Sequence, residues 1–310
     1  MLGSVIALVA IGLVMVLSSS NIFALRSEAE SSYAIFSKQA IFAAIGLPLA
    51  WVASRTPIVA WKRVAWPALA VAAVSLLAVA AVGNTVNGNK NWIAIGPATL
   101  QPSEAAKLAL VVWAAAVLSR KHTLLSRVPH VLVPVVPGAV LLIGLVMLGH
   151  DLGTSLVLIG ITAGLLFTAG APLRVFAVGG GLIGGLVAIA VMTSPNRMQR
   201  LGAWSGSGTC DPTGSCWQPT HGLWGLATGG WWGVGLGAGR EKWLWLPEAH
   251  NDYIFATIGE ELGLAGTLAV LVLFAALGVG LFRLAITSED LFVTIATGGV
   301  LAWVLGQAMI

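Results

Sequence analysis

The chain has 310 residues, of which 57% are hydrophobic and only 9% charged, with a mean hydropathy of +0.91. That composition excludes a soluble globular domain. A net charge of +4 suits a protein facing anionic lipid, and with no basic stripe in the sequence nucleic acid is not an expected partner.

Apolar runs long enough to cross a hydrocarbon core of about 30 Å recur along the chain. They predict about nine membrane helices, at 2–20, 38–54, 58–82, 102–118, 130–149, 153–170, 174–193, 262–283 and 290–310. Helices are required because backbone groups in lipid must be satisfied within the segment. The expected fold is therefore all-α and polytopic, one membrane domain over 1–310. The first run starts at Met1 without a convincing small-residue cleavage site after it, so it reads as a retained span. Arg55, Lys62, Arg63, Arg120, Lys121, Arg127, Arg174 and Arg283 fall in one set of short connections, and Arg26, Lys38 and Lys90 in the other. That imbalance places the N-terminus in the cytoplasm, and the long segment 194–261 and the end of the chain outside.

Only 83–101 and 194–261 are long connections, and both fall on the outer side. At the end of the first, Gln101-Pro102-Ser103 reads as a helix start with proline in the first turn. Glu104 and Lys107 follow three residues apart and share a face. They form either a local ion pair in a first turn or, since a lysine inside a membrane helix must face protein or water, a contact for an anionic group such as a diphosphate. Asp151 reads as the N-cap of the sixth span. In the seventh, Gly180, Gly181, Gly184 and Gly185 have small-xxx-small spacing for close helix packing.

The segment 194–261 opens with Arg197 and Arg200, which either hold phosphate bidentately or anchor to headgroups. Cys210 and Cys216 share a non-cytoplasmic side, where a disulfide is allowed; free thiols are the other reading. Trp204, Trp217, Trp224, Trp231, Trp232, Trp243 and Trp245 favour a position on or in the outer leaflet. The glycine run at 229–239 follows no soluble strand, so it reads as tight bends and close backbone approach rather than a nucleotide fingerprint. The segment closes with Glu248, His250, Asp252, Glu260 and Glu261, five ionisable side chains within a chain of 12 acidic residues and five histidines. Asp252 is the leading candidate for chemistry. It sits where the chain re-enters the membrane, with His250 and Glu248 near it; the alternative is that it caps the next helix. Glu260 and Glu261 either pair with Arg240 or Lys242 or line a wet cavity.

LPEAHNDYIFATIGEELG (Leu246 to Gly263), NGNKNWIAIGPATLQPSEAAKLAL (Asn87 to Leu110), DLGTSLVL (Asp151 to Leu158) and GLVMVLSSS (Gly12 to Ser20) resemble the SEDS family (shape, elongation, division and sporulation). The resemblance runs over essentially the whole chain and is closer to the division-type, FtsW-like branch than to the RodA-like one. It implies about ten spans, so the chain reads as lacking the last. It implies a peptidoglycan glycosyltransferase that polymerises lipid II on the outer face of the bacterial cytoplasmic membrane. A class B penicillin-binding protein would be its transpeptidase partner, among other division membrane proteins. The family's essential aspartate falls on Asp252, and its fourth-span Glu and Lys on Glu104 and Lys107. A divalent cation, Mg or Mn, is implied and no organic cofactor. His150 stands where the family usually has proline, and Leu244 where some relatives carry an acid.

Lipid II carries an α-linked diphosphate and the product linkage is β, so one inverting displacement is expected. Asp252 would act as general base on the acceptor 4-hydroxyl. Lys107, Arg197, Arg200 or the cation would meet the charge on the leaving diphosphate, with Glu104, Glu248 and His250 completing the substrate contacts. The alternatives are a lipid-linked precursor flippase, which mid-depth charges at broken helices would favour, and a non-catalytic division scaffold.

Overall fold

The computed structural model describes residues 1–26, 31–86, 89–95, 98–121, 132–194, 198–199, 201–202, 214, 216–243 and 245–309. Ten helices lie among them: α1 (Leu2–Arg26), α2 (Ala34–Arg55), α3 (Ile58–Val82), α4 (Pro102–Arg120), α5 (Val135–Leu148), α6 (Leu152–Thr168), α7 (Leu173–Met192), α8 (Trp217–Thr228), α9 (Ile254–Thr287) and α10 (Leu291–Met309). Seven are long and apolar enough to cross a membrane, while α5 and α6 are apolar but shorter. The chain divides into two compact units, Met1–Ser54 with Gly181–Leu277, and Arg55–Gly180 with Gly278–Ile310.

In the second unit α4 is the central helix, buried over nearly its whole circumference from Ala106 to Leu118. A helix that is apolar all round takes that place naturally. The Trp113 ring meets Trp66 edge-on at 5.4 Å and fills the space left by Gly138 on α5. Between α6 and α10, Gly164 faces Ala302 and Gly298 faces Thr168, so the two backbones approach closely. Asp290 starts α10 by accepting from the Phe292 N–H at 2.8 Å and pairs with Lys62 at 3.0 Å.

The connection expected as a plain loop at 83–101 is a small antiparallel sheet of β1 (Asn84–Val86), β2 (Asn89–Ile95) and β3 (Ala98–Leu100), in that order. Its register pairs Thr85 with Lys90 and Ala94 with Thr99. The sheet is tied to the helix ends beneath it. The Lys90 ammonium donates to the Ala80 carbonyl at 2.8 Å, and the Lys90 N–H to Gly149 O at 2.9 Å. A cation at the C-terminus of α3 also complements its dipole.

In the first unit α1 packs on α9 through Met15, Ile258 and Val270. Helix α8 lies on the first turns of α9 along a glycine face: a Cβ at Gly222 would meet the Tyr253 ring at 2.9 Å, and one at Gly225 would sit 3.6 Å from Ala256 O. The span expected from 262 begins instead at Ile254, so Glu260 and Glu261 are helical and 194–261 is not one loop. The glycines of α7 do not pack as expected. Nothing lies within 4 Å of a Cβ at Gly180, Gly181, Gly184 or Gly185 among the described residues, and α7 buries no residue.

Candidate active site

Helix α9 is broken at Gly263, whose φ of 67° and ψ of −164° belong to a region open essentially to glycine alone. The break leaves four backbone groups without their helical partners. The glycine-rich segment supplies them. Val234 N–H donates to Glu260 O at 2.9 Å and Gly235 N–H to Glu261 O at 3.1 Å. In return Leu264 N–H donates to Gly230 O at 2.9 Å and Ala265 N–H to Trp231 O at 3.2 Å. A Cβ at Gly263 would stand 2.7 Å from the Trp231 carbonyl carbon. Positive φ at Gly230, Gly233, Gly235 and Gly237 lets the segment make this close approach.

Two carboxylates of α9 hold the same segment. Glu261 is fully buried and pairs with Lys242, itself 5% exposed, at 2.7 Å. The Ser18 hydroxyl of α1 reaches its oxygens at 2.6 and 2.8 Å, and Gly237 N–H donates at 3.1 Å. Glu260 accepts from the N–H groups of Arg240 at 2.6 Å and Glu241 at 3.3 Å. Of the two pairings open from the sequence, Glu261 takes Lys242, and Glu260 takes the Arg240 backbone rather than its guanidinium. Sequence reasoning did not find Ser18, because its partner is 243 residues away.

Asp252 stands on the turn that leads into α9. Glu248, with φ 55°, organises that turn: its carbonyl accepts from Asn251 and Tyr253 N–H at 3.0 and 3.2 Å, and its carboxylate accepts from the Asn251 amide at 2.8 Å. Thr257 locks the turn to the helix by donating to Ala249 O at 3.1 Å. Asp252 is exposed and, among the described residues, no hydrogen bond to its carboxylate is formed, so it caps nothing. His250 is buried. Burial holds its imidazole below the ordinary histidine value, against the pull of Glu248 and Asp252 toward the charged form.

Behind the loop, His221 of α8 meets Glu241 at 2.6 Å. Its ring contacts Trp217 at 4.2 Å, Trp224 at 4.8 Å and Trp245 at 5.9 Å. Neither His221 nor Glu241 was singled out from the sequence; a lone histidine carries no periodic signal. Cys216 is disulfide-bonded, and Cys210 lies outside the described residues, as do Arg197, Arg200 and Leu244.

Glu104 and Lys107 belong to the other unit. Lys107 is 1% exposed. Its ammonium meets Glu104 at 2.8 Å, Gln307 of α10 at 2.9 Å and the Trp303 ring at 5.2 Å. The shared face read from the spacing is present, with two partners that the spacing does not reveal. In the same unit Asp151 caps α6, accepting from Thr154 N–H at 2.9 Å, and also accepts from Asn91 of β2 at 2.8 Å. No three histidine, cysteine or carboxylate side chains gather as a cation's ligand set among the described residues.

A family profile described as a cell cycle protein, covering FtsW, RodA and SpoVE, matches residues 1–310. A Mycobacterium tuberculosis protein named probable peptidoglycan glycosyltransferase FtsW is 37% identical over 98% of this chain and 58% of its own length. A protein of the same name from Thioalkalivibrio sulfidiphilus is 38% identical over 99% of this chain and 78% of its own. The chain thus spans 58% of the length of its mycobacterial relatives. Among solved structures, a chain from "Structural coordination of polymerization and crosslinking by a peptidoglycan synthase complex" superposes with a TM-score of 0.72 at 26% identity, covering 99% of this chain and 84% of that one. Thermus thermophilus rod shape determining protein RodA shares the fold, with a TM-score of 0.68 at 24% identity over 98% of this chain and 80% of its own.

Proposed function

The chain belongs to the FtsW/RodA/SpoVE family of cell cycle proteins, and from that premise we propose that it is a peptidoglycan glycosyltransferase polymerising lipid II at the outer face of the bacterial cytoplasmic membrane during division. The observation that carries this reading is Asp252. Its carboxylate is held on a turn fixed by Glu248 and Thr257, is exposed, and accepts no hydrogen bond among the described residues. Its oxygens are open to a sugar hydroxyl, which is the access a general base needs.

In the proposed displacement the acceptor 4-hydroxyl attacks the anomeric carbon, the bond to the diphosphate breaks, and Asp252 takes the hydroxyl proton. Configuration inverts from α to β. Charge on the departing diphosphate is met by an arginine, Arg197 or Arg200. The divalent cation that the family resemblance implies finds no complete ligand set among the described residues, and no step is routed through it. A class B penicillin-binding protein supplies crosslinking, in keeping with the complex described for a solved relative. Asp252→Asn should fold normally and yield no glycan from purified lipid II with the partner transpeptidase present. Chains of parental length from that variant would remove Asp252 from the base role.

The break in α9 and the buried Lys242–Glu261 pair favour a second reading, lipid-linked precursor flipping, since transporters build sites at discontinuous helices. Lipid II translocation in proteoliposomes by a protein that makes no glycan would select it.

A further inference from the structure

In the unit that carries Asp252, α8, the loop after it and Glu260 of α9 border an open cleft of about 480 Å³ lined by Trp224, Ala227, Thr228, Arg240, Glu241 and Glu260. The catalytic steps proposed above use none of these residues. The volume lies within the range of about 300–1,000 Å³ usual for ligand sites. Its wall is built rather than incidental. Trp224 is 55% exposed, yet the edge of its ring packs on the buried His221. His221 is in turn held by Glu241 at 2.6 Å and faced by Trp217 and Trp245. The indole is thus left uncovered by protein in a fixed orientation. Glu260 is 1% exposed and both its oxygens accept backbone N–H groups of Arg240 and Glu241, so it holds the wall, whereas Glu241 meets His221 through one oxygen and keeps the other for a ligand. The Arg240 guanidinium makes no hydrogen bond or ion pair among the described residues.

An indole face, two carboxylates and one open guanidinium select a particular chemistry. A phosphate or diphosphate would face two like charges, which disfavour it. An acyl chain would leave the Arg240 guanidinium desolvated without a partner. A pyranose answers both demands: its axial C–H face is apolar, and its hydroxyls donate to carboxylates and accept from guanidinium. We propose that this cleft is a sugar subsite that seats one pyranose unit of the glycan substrate, stacked on Trp224 and hydrogen-bonded by Glu241 and Arg240. The inference rests on the polymerase reading, because it assigns the sugar to that substrate. It makes Trp224 and Glu241 binding residues that fix which part of the glycan is held while Asp252 acts.

The test uses the full-length protein in detergent and a soluble β-1,4-linked N-acetylglucosamine–N-acetylmuramic acid disaccharide, followed by saturation-transfer NMR. The parent and Asp252→Asn should bind it alike. Trp224→Ala should weaken binding about tenfold, as loss of an aromatic contact of about 1.4 kcal/mol does, and Trp224→Phe should restore most of it. Glu241→Gln should also weaken it. In polymerisation from lipid II, Trp224→Ala should raise KM and leave kcat near the parent value. A parent that makes glycan but binds no disaccharide, or a Trp224→Ala variant with parental affinity and KM, overturns the subsite and leaves the polymerase standing. Disaccharide binding that depends on Trp224 in a protein that makes no glycan upholds the cleft as a sugar site and overturns the polymerase reading instead.

Discussion

Replacing Lys242 with methionine tests whether the buried ion pair holds the glycine-rich loop to the broken helix. Glu261 is 0% exposed and Lys242 5%, so the variant leaves a carboxylate buried without its counter-charge. Breaking such a pair costs about 3–5 kcal/mol. The structure argues for the lower end, because Ser18 at 2.6 Å and Gly237 N–H at 3.1 Å still donate to Glu261. At roughly 2–4 °C per kcal/mol for a chain of this order of size, Lys242→Met should lower the unfolding midpoint by roughly 6–12 °C. The double variant Lys242→Met with Glu261→Gln removes both charges and should recover to within about 1 kcal/mol of the parent, as buried pairs exchanged for neutral groups do. Tryptophan fluorescence during a thermal scan in detergent reads both, since Trp231 and Trp243 belong to the loop in question. A Lys242→Met protein within about 1 kcal/mol of the parent would refute the idea that this pair secures the loop.

Gly263→Ala should destabilise by more than about 2 kcal/mol, since φ is 67° and the new Cβ would stand 2.7 Å from Trp231, whereas Gly184→Ala, with nothing within 4 Å, should shift the midpoint by less than about 0.5 kcal/mol. The same thermal scan checks both. Burial lowers the His250 pKa, so the native state favours the neutral ring. Its contribution to stability is full above the ordinary value of about 6.5 and is lost as pH falls through the folded value, because the unfolded chain then binds the extra proton. A His250→Gln variant should flatten the acid limb of the stability–pH curve. Asp151→Ala removes the cap on Thr154 N–H and the tie to Asn91 and should cost about 1–2 kcal/mol, whereas Asp151→Asn should recover part of it in equilibrium unfolding.

Hydropathy located the apolar helices, though not α8 inside the expected loop 194–261, because burial in lipid leaves a local signature about 20 residues long. The start of α4 at Pro102, the shared face of Glu104 and Lys107 and the cap at Asp151 were legible for the same reason: each is written within four residues. Features made by distant residues were not. Ser18 meets Glu261 across 243 positions and Lys107 meets Gln307 across 200, and no local pattern announces either. The sheet at 84–100 did leave a signal, since Asn87-Gly88 between short runs is a strong hairpin signature, but its strands are only three to seven residues long. Glycine spacing misled in α7, where nothing packs on the small residues, while Gly164 and Gly298 do pack without forming a run. Composition reports where backbones are able to approach; only the fold decides where they do.

The glycine-rich loop is better understood as part of the helix it joins than as a lid over it. A continuous α9 would bond Leu264 N–H to Glu260 O and Ala265 N–H to Glu261 O. Breaking the helix at Gly263 frees those four groups, and in an apolar setting each unmet group costs several kcal/mol. The loop meets all four, and Glu260 and Glu261 then clamp it with their side chains at Arg240, Glu241 and Lys242. Ten residues further on, the same chain forms the turn that displays Asp252, and Thr257 fastens that turn to the helix the loop has completed. Loop, helix break and carboxylate are therefore one mechanical piece. On the proposed polymerase reading, loosening the Lys242–Glu261 clamp should disturb glycan synthesis through the position of Asp252, lowering kcat while Asp252 and the cleft residues are all intact.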